Sequence, residues 1–148
     1  MKVADQVRKA IKQNAFDEAY SAMGQLSIGE KVDLLFNQVT LEDNTCMYLF
    51  LLYLVARDEN EAEWNFRCFM YLVFDSSFFD DSMCLAAWHA KNAIHSAPQN
   101  VEYKKAVLSV FSGYPEQYFS NKELVQMANA VICVYPDDND AIEYLSKQ

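Results

Sequence analysis

Glycine and proline are scarce in this chain, with three of each in 148 residues. So few turn-formers exclude an all-β architecture built from hairpins and bulges. With glycine only at positions 24, 29 and 113, neither a phosphate-cradling glycine loop nor a GxSxG nucleophile turn can be assembled. Cysteine is sparse too: Cys46, Cys68, Cys84 and Cys133 are far apart, form no CxxC pair and each lie in an apolar stretch. They read as reduced, buried thiols of a cytoplasmic protein, without a zinc site. The only histidines, His89 and His95, fall about 240° apart on one helix and cannot converge on a metal. Cys84 lies about 140° from His89 around the same helix, which excludes a thiol–imidazole pair. The acidic run Asp137-Asp138-Asn139-Asp140 lacks the central glycine and the position-twelve glutamate of a calcium loop. The longest apolar run, 46–56, is too short to cross a bilayer at about 1.5 Å per residue. The first fourteen residues form a charged amphipathic helix in place of a signal peptide. No catalytic residues, no cofactor and no metal ligands are expected.

Apolar residues are plentiful, 52% of the chain with 14% aromatic, enough for one well-buried core in a single domain over residues 1–148. Their spacing is helical. Ala86, Ala90, Ala93, Ile94 and Ala97 recur 38 positions later as Leu124, Ala128, Val131, Ile132 and Tyr135. Ser82 and Pro98 are matched by Ser120 and Pro136. The i, i+4, i+7, i+8, i+11 pattern is one face of a helix, and it appears a third time as Ala62, Phe66, Phe69, Met70 and Val73. The expected fold is therefore all-α, about nine helices stacked as antiparallel hairpins.

Local signals place the helix ends. Ser27 with Glu30 and Ser120 with Glu123 have capping-box spacing, Asp81 or Ser82 suits a cap for the sixth helix, and Asp137 to Asp140 open the ninth, which ends near Ser146. The third helix is expected to bury Val32, Leu35, Phe36 and Val39. The fourth, apolar on nearly all sides from Asn44 to Val55, is expected at the centre of the fold.

The segments Ala93-Ile94-His95-Ser96-Ala97-Pro98 and Val131-Ile132-Cys133-Val134-Tyr135-Pro136, with Ala90 and Ala128 before them, resemble the end of a tetratricopeptide-type repeat. That resemblance covers about the last 70 residues and implies a superhelical stack. The 38-residue offset exceeds the usual unit, and the first-helix Trp-Leu-Gly-Tyr positions of that family are missing.

Charge is unevenly placed. Residues 41–81 hold nine carboxylates against Arg57 and Arg67, a net of −7 within an overall −9. Such a field repels nucleic acid and anionic membranes and speeds encounter with a basic partner. Trp64, Tyr71, Trp88, Phe78, Phe79 and Tyr118 do not all fall on the apolar stripes, and aromatics inside an acidic rim are the composition of a protein-binding hot spot. In size, charge and build the chain resembles the immunity proteins of bacterial polymorphic or contact-dependent toxin systems. The resemblance implies a basic toxin domain as partner, often a nuclease, whose phosphate positions would be filled by Glu59, Glu61, Glu63, Asp75, Asp80 and Asp81, with Trp64 and Phe78 as apolar contacts. The alternative is a tetratricopeptide-like adaptor or secretion chaperone holding an extended peptide in a groove lined by apolar and amide side chains.

Overall fold

The computed structural model describes residues 2–42, 44–75 and 81–148. Among these residues there are nine α-helices and no strand: α1 (Val3–Lys12), α2 (Phe16–Ala22), α3 (Ile28–Asp33), α4 (Asn44–Arg57), α5 (Glu61–Phe74), α6 (Ser82–Ser96), α7 (Val101–Phe111), α8 (Asn121–Val134) and α9 (Asn139–Ser146). Each helix from α4 onward packs on the next, and α1 and α2 close against α4. The most extensive pairing is the α5–α6 hairpin. None of these helices is long and apolar enough to cross a membrane.

Side-chain caps and chain reversals fix the ends. Both predicted capping boxes form: Glu30 N–H donates to the Ser27 hydroxyl at 3.2 Å and Glu123 N–H to that of Ser120 at 3.1 Å, with the reciprocal glutamate bonds in place. Asp138 accepts from Ala141 N–H at 2.9 Å to open α9. Helix α1 stops where Asn14 turns left-handed at φ 57°. The amides of Asn14 and Ala15 then return to the carbonyls of Ile11 and Ala10 at 3.0 and 2.8 Å, a Schellman closure that asparagine tolerates better than most residues. Asp81 is left-handed too, and although it occupies the N-cap position its side chain makes no cap bond to α6, so of the expected caps, Asp81 or Ser82, the aspartate does not serve.

The repeated stripe is the core face. Ala86, Ala90 and Ala93 of α6 and Leu124, Ala128 and Val131 of α8 are buried at equivalent positions in a C-terminal cluster with Tyr103, Val107, Leu108 and Phe111 of α7. An N-terminal cluster joins Val7, Ile11, Met23, Leu35, Phe50, Leu51 and Leu54.

Two expectations change. The centre of the fold is α5, not α4. It gives Trp64, Cys68 and Tyr71 to the N-terminal cluster and Phe66, Phe69 and Leu72 to the C-terminal one, whereas α4 leaves Leu49 44% exposed. The third helix also ends in a π-helical segment, Leu34–Gln38, closed by Val39 N–H to Leu34 carbonyl at 2.9 Å. Leu34, Leu35 and Val39 are buried, while Val32, before the segment, and Phe36, within it, are only partly covered.

Where α4, α5 and α6 meet, fully buried His89 lies between the Tyr48 hydroxyl at Nε2 and Asn65 Oδ1 at Nδ1, each 2.9 Å away. An amide oxygen only accepts, so Nδ1 carries the proton and Nε2 accepts from Tyr48. Burial lowers the imidazole pKa to about 4 and, with the nearby Cys68 sulfur, raises that of Tyr48 to about 12. The folded state thus disfavours protonated His89, and stability should fall as pH drops from about 6.5 toward 4, by on the order of 3 kcal/mol once both states are protonated. Denaturation midpoints of wild type and His89→Gln across that range check this, and the variant should lose most of the slope.

Candidate functional site

The N-terminal end of α5 carries Glu59, Glu61 and Glu63 around a shallow cleft of about 360 Å³ completed by Ser96 and Tyr103. Glu59 and Glu61 are exposed. Glu63 is tied inward, accepting from Arg67 Nε at 2.8 Å and from the Tyr103 hydroxyl at 2.5 Å. Burial, then the bond to the carboxylate and its charge, raise the Tyr103 pKa.

Asp58, counted in the acidic run by sequence, is an internal junction. Its Oδ1 accepts from Tyr20 and Lys31, each at 3.0 Å, and its Oδ2 from the Asn60 backbone and side chain at 3.1 and 2.9 Å and from Trp64 Nε1 at 3.0 Å. Burial alone would raise its pKa. The bonds from Asn60, Lys31 and Trp64 overcome that and hold it well below the usual carboxylate range.

The opposite end of the hairpin carries Asp75 and Asp81, both exposed. From Glu61 to Asp75 is fourteen residues of helix, about 20 Å, so among the described residues Glu59, Glu61 and Glu63 are separate from Asp75 and Asp81. Phe78 and Asp80 lie outside the described residues.

Trp64 does not belong to any contact surface. It is completely buried with its indole nitrogen committed to Asp58. The exposed indole is Trp88, 58% accessible. Each tryptophan follows the first residue of its helix stripe by two positions, Ala62 and Ala86, and so points away from that stripe. For α6 that direction leads to solvent; for α5, packed on two sides, it leads into the second core.

The outer face of α6 then has a definite character. Leu85 and Trp88 stand at i and i+3 and so share one line, 37% and 58% exposed, with Asp81 ahead of them at the N-terminus of the helix. Cys84 beside them is exposed as well, as is Cys133, in place of the buried thiols expected. Phe74, 65% exposed at the last position of α5, lies at the same end of the hairpin. This end of the hairpin therefore carries two carboxylates, Asp75 and Asp81, with exposed Phe74, and Leu85 and Trp88 follow along the outer face of α6. The sequence signal for that face was the helical phase of Trp88, opposite the buried alanines.

Among the described residues no group of three or more histidine, cysteine, aspartate or glutamate side chains is placed to hold a metal ion. Compared with known proteins, the chain matches no family model, no curated protein and no solved structure.

Proposed function

We propose that this protein is a binding module that captures and neutralises a basic protein partner, a toxin domain of the nuclease type, in the manner of the immunity proteins it resembles. The observation that carries the reading is the exposure of Leu85 and Trp88 on the outer face of α6, with Phe74, Asp75 and Asp81 exposed at the same end of the hairpin. A large exposed aromatic on a helix whose N-terminal end carries carboxylates suits a protein interface: the indole supplies affinity on desolvation and the carboxylates supply steering toward a cationic surface. Glu59 and Glu61, about 20 Å away along α5, add to the long-range field without sharing that face.

This division makes the two ends experimentally separable. Trp88→Ala should weaken the complex by about 30-fold or more, mainly through faster dissociation, while the melting temperature stays within experimental error because the ring is largely exposed. Asp81→Asn with Asp75→Asn should slow association and flatten its salt dependence; Glu59→Gln with Glu61→Gln should have the smaller effect. Stopped-flow association at several ionic strengths reads all three. Equal affinity for Trp88→Ala and wild type would remove the outer face of α6 from the interface, and an unchanged association rate in both acidic pairs would remove the steering argument.

A further inference from the structure

A second surface has the opposite charge. Residues 82–135 contain Lys91, Lys104, Lys105 and Lys122 against Glu102, Glu116 and Glu123, a local net of +1 in a chain of −9. All three carboxylates are engaged nearby: Glu102 accepts from the Tyr135 hydroxyl, Glu116 from that of Tyr118 and Glu123 from Ser120 N–H at 2.7 Å. Between α6, α7 and α8 lies a cleft of about 510 Å³ with Lys91 on one wall and Lys104 on another. Neither lysine forms an ion pair among the described residues, although five of the other cations do. The Lys91 ammonium instead sits 5.0 Å from the centre of the Phe119 ring. Ile94, Phe119 and Met127 supply the apolar lining, with Phe119 and Met127 almost wholly buried as its base. Asn92 and Gln126 add amides from facing helices.

We propose that this cleft binds an anionic group carried on a compact apolar body, a carboxylate or phosphate between Lys91 and Lys104 with the apolar part against Phe119 and Met127. Its volume is that of a small-ligand site, and apolar lining with a few convergent polar groups is the usual composition of one. Glu123 also lines the cleft, its carboxylate held by Ser120 N–H, so two ammonium groups without ion-pair partners stand against one carboxylate, and that balance favours an anion over a neutral ligand. The aromatic base under Lys91 favours a ligand with an apolar portion over a bare inorganic ion. The same chemistry can arrive as a free small acid or as an acidic side chain next to an apolar one in a partner segment. The site adjoins the outer face of α6, with Lys91 and Asn92 three and four positions after Trp88, and its test is independent of any toxin.

The Met127 methyl group is a local reporter. With [13C]methyl-methionine protein, the Met127 resonance, assigned through Met127→Leu, is followed during titration with phenyl phosphate, phenylacetate, benzyl alcohol, inorganic phosphate and N-acetyl-aspartyl-phenylalaninamide. The expected result is a saturable, salt-sensitive shift with the aromatic anions, none with benzyl alcohol and a much weaker one with inorganic phosphate. Lys91→Gln with Lys104→Gln should weaken binding at least about tenfold, and Lys122→Gln should leave it unchanged. Tighter binding of the dipeptide than of phenylacetate identifies a protein segment as the source, and the reverse order identifies a free acid. A Met127 resonance that stays still with every anion at about 10 mM, about tenfold above a 1 mM dissociation constant, overturns the proposal, as does equal binding by the double lysine variant.

Discussion

Asp58→Asn should destabilise the fold by about 3–5 kcal/mol, the range for breaking a buried ion pair from one side. The substitution keeps the side-chain volume but removes the charge, leaving the buried Lys31 ammonium, now 3.0 Å from Asp58 Oδ1, without a counter-charge. An amide nitrogen would also meet donors from Tyr20, Asn60 or Trp64, and two donors facing each other leave both unsatisfied. Against a total of about 5–15 kcal/mol for a domain of ordinary stability, this is a large fraction. Lys31→Met should recover part of the loss in the Asp58→Asn background, because the methionine follows the lysine stem without its charge; a double-mutant cycle by chemical denaturation measures that coupling. Additive effects would contradict the ion pair as the source of the stability.

The pH dependence follows with a definite sign. Asp58 has a folded pKa held below its unfolded value, so its contribution is fully present above about pH 4 and is lost as pH falls toward the folded value. His89, lowered to about 4, costs stability in the window above that. Acid unfolding should therefore have two limbs, the upper removed by His89→Gln and the lower by Asp58→Asn.

Trp64→Ala is the second large effect, about 3–5 kcal/mol from the loss of a completely buried indole and the cavity it leaves. Asp58 Oδ2 also loses one of its donors. Trp64→Phe separates the two contributions: it keeps a ring in the N-terminal core and should cost about 1–3 kcal/mol, mostly for the missing bond. Neither variant should change partner affinity once refolded protein is compared at equal native fraction. Thermal melts and binding on the same preparations check both statements, and a Trp64→Phe protein of native stability but weakened binding would return Trp64 to the contact surface.

Much of the architecture was legible because it is local. The stripes 86/90/93 and 124/128/131, the two serine–glutamate capping boxes, the Asp138 cap and the end of α9 at Ser146 are all set within one or two helical turns, and each is found where the spacing put it. What escaped depends on contacts distant in sequence. Asp58 reads as one more acid beside Glu59, yet Lys31, 27 residues away, and Tyr20, 38 residues away, convert it to a core group. Helix α5 reads as half-polar from Glu61, Glu63, Asn65 and Arg67, but Asn65 is bonded to His89 and Glu63 to Arg67 and Tyr103, so α5 can be central despite its composition. Local charge summed to −7, while helix geometry set Glu59 and Glu61 at one end of a hairpin and Asp75 and Asp81 at the other. The choice of Trp64 over Trp88 failed for the same reason: phase within a helix tells which side a ring faces, and only tertiary packing tells what lies on that side.

Competitive capture from the native cells is the most direct measurement of the central claim. Tagged wild type, Trp88→Ala and the Asp75→Asn/Asp81→Asn pair are each used as bait at low and high salt, and retained proteins are quantified by mass spectrometry. The account predicts one stoichiometric basic partner on wild type, reduced by salt, strongly depleted on Trp88→Ala and depleted at short contact times on the acidic pair, with that partner's toxicity suppressed by co-expressed wild type. Retention of the same proteins by all three baits, or of several substoichiometric proteins with no basic one among them, would contradict it.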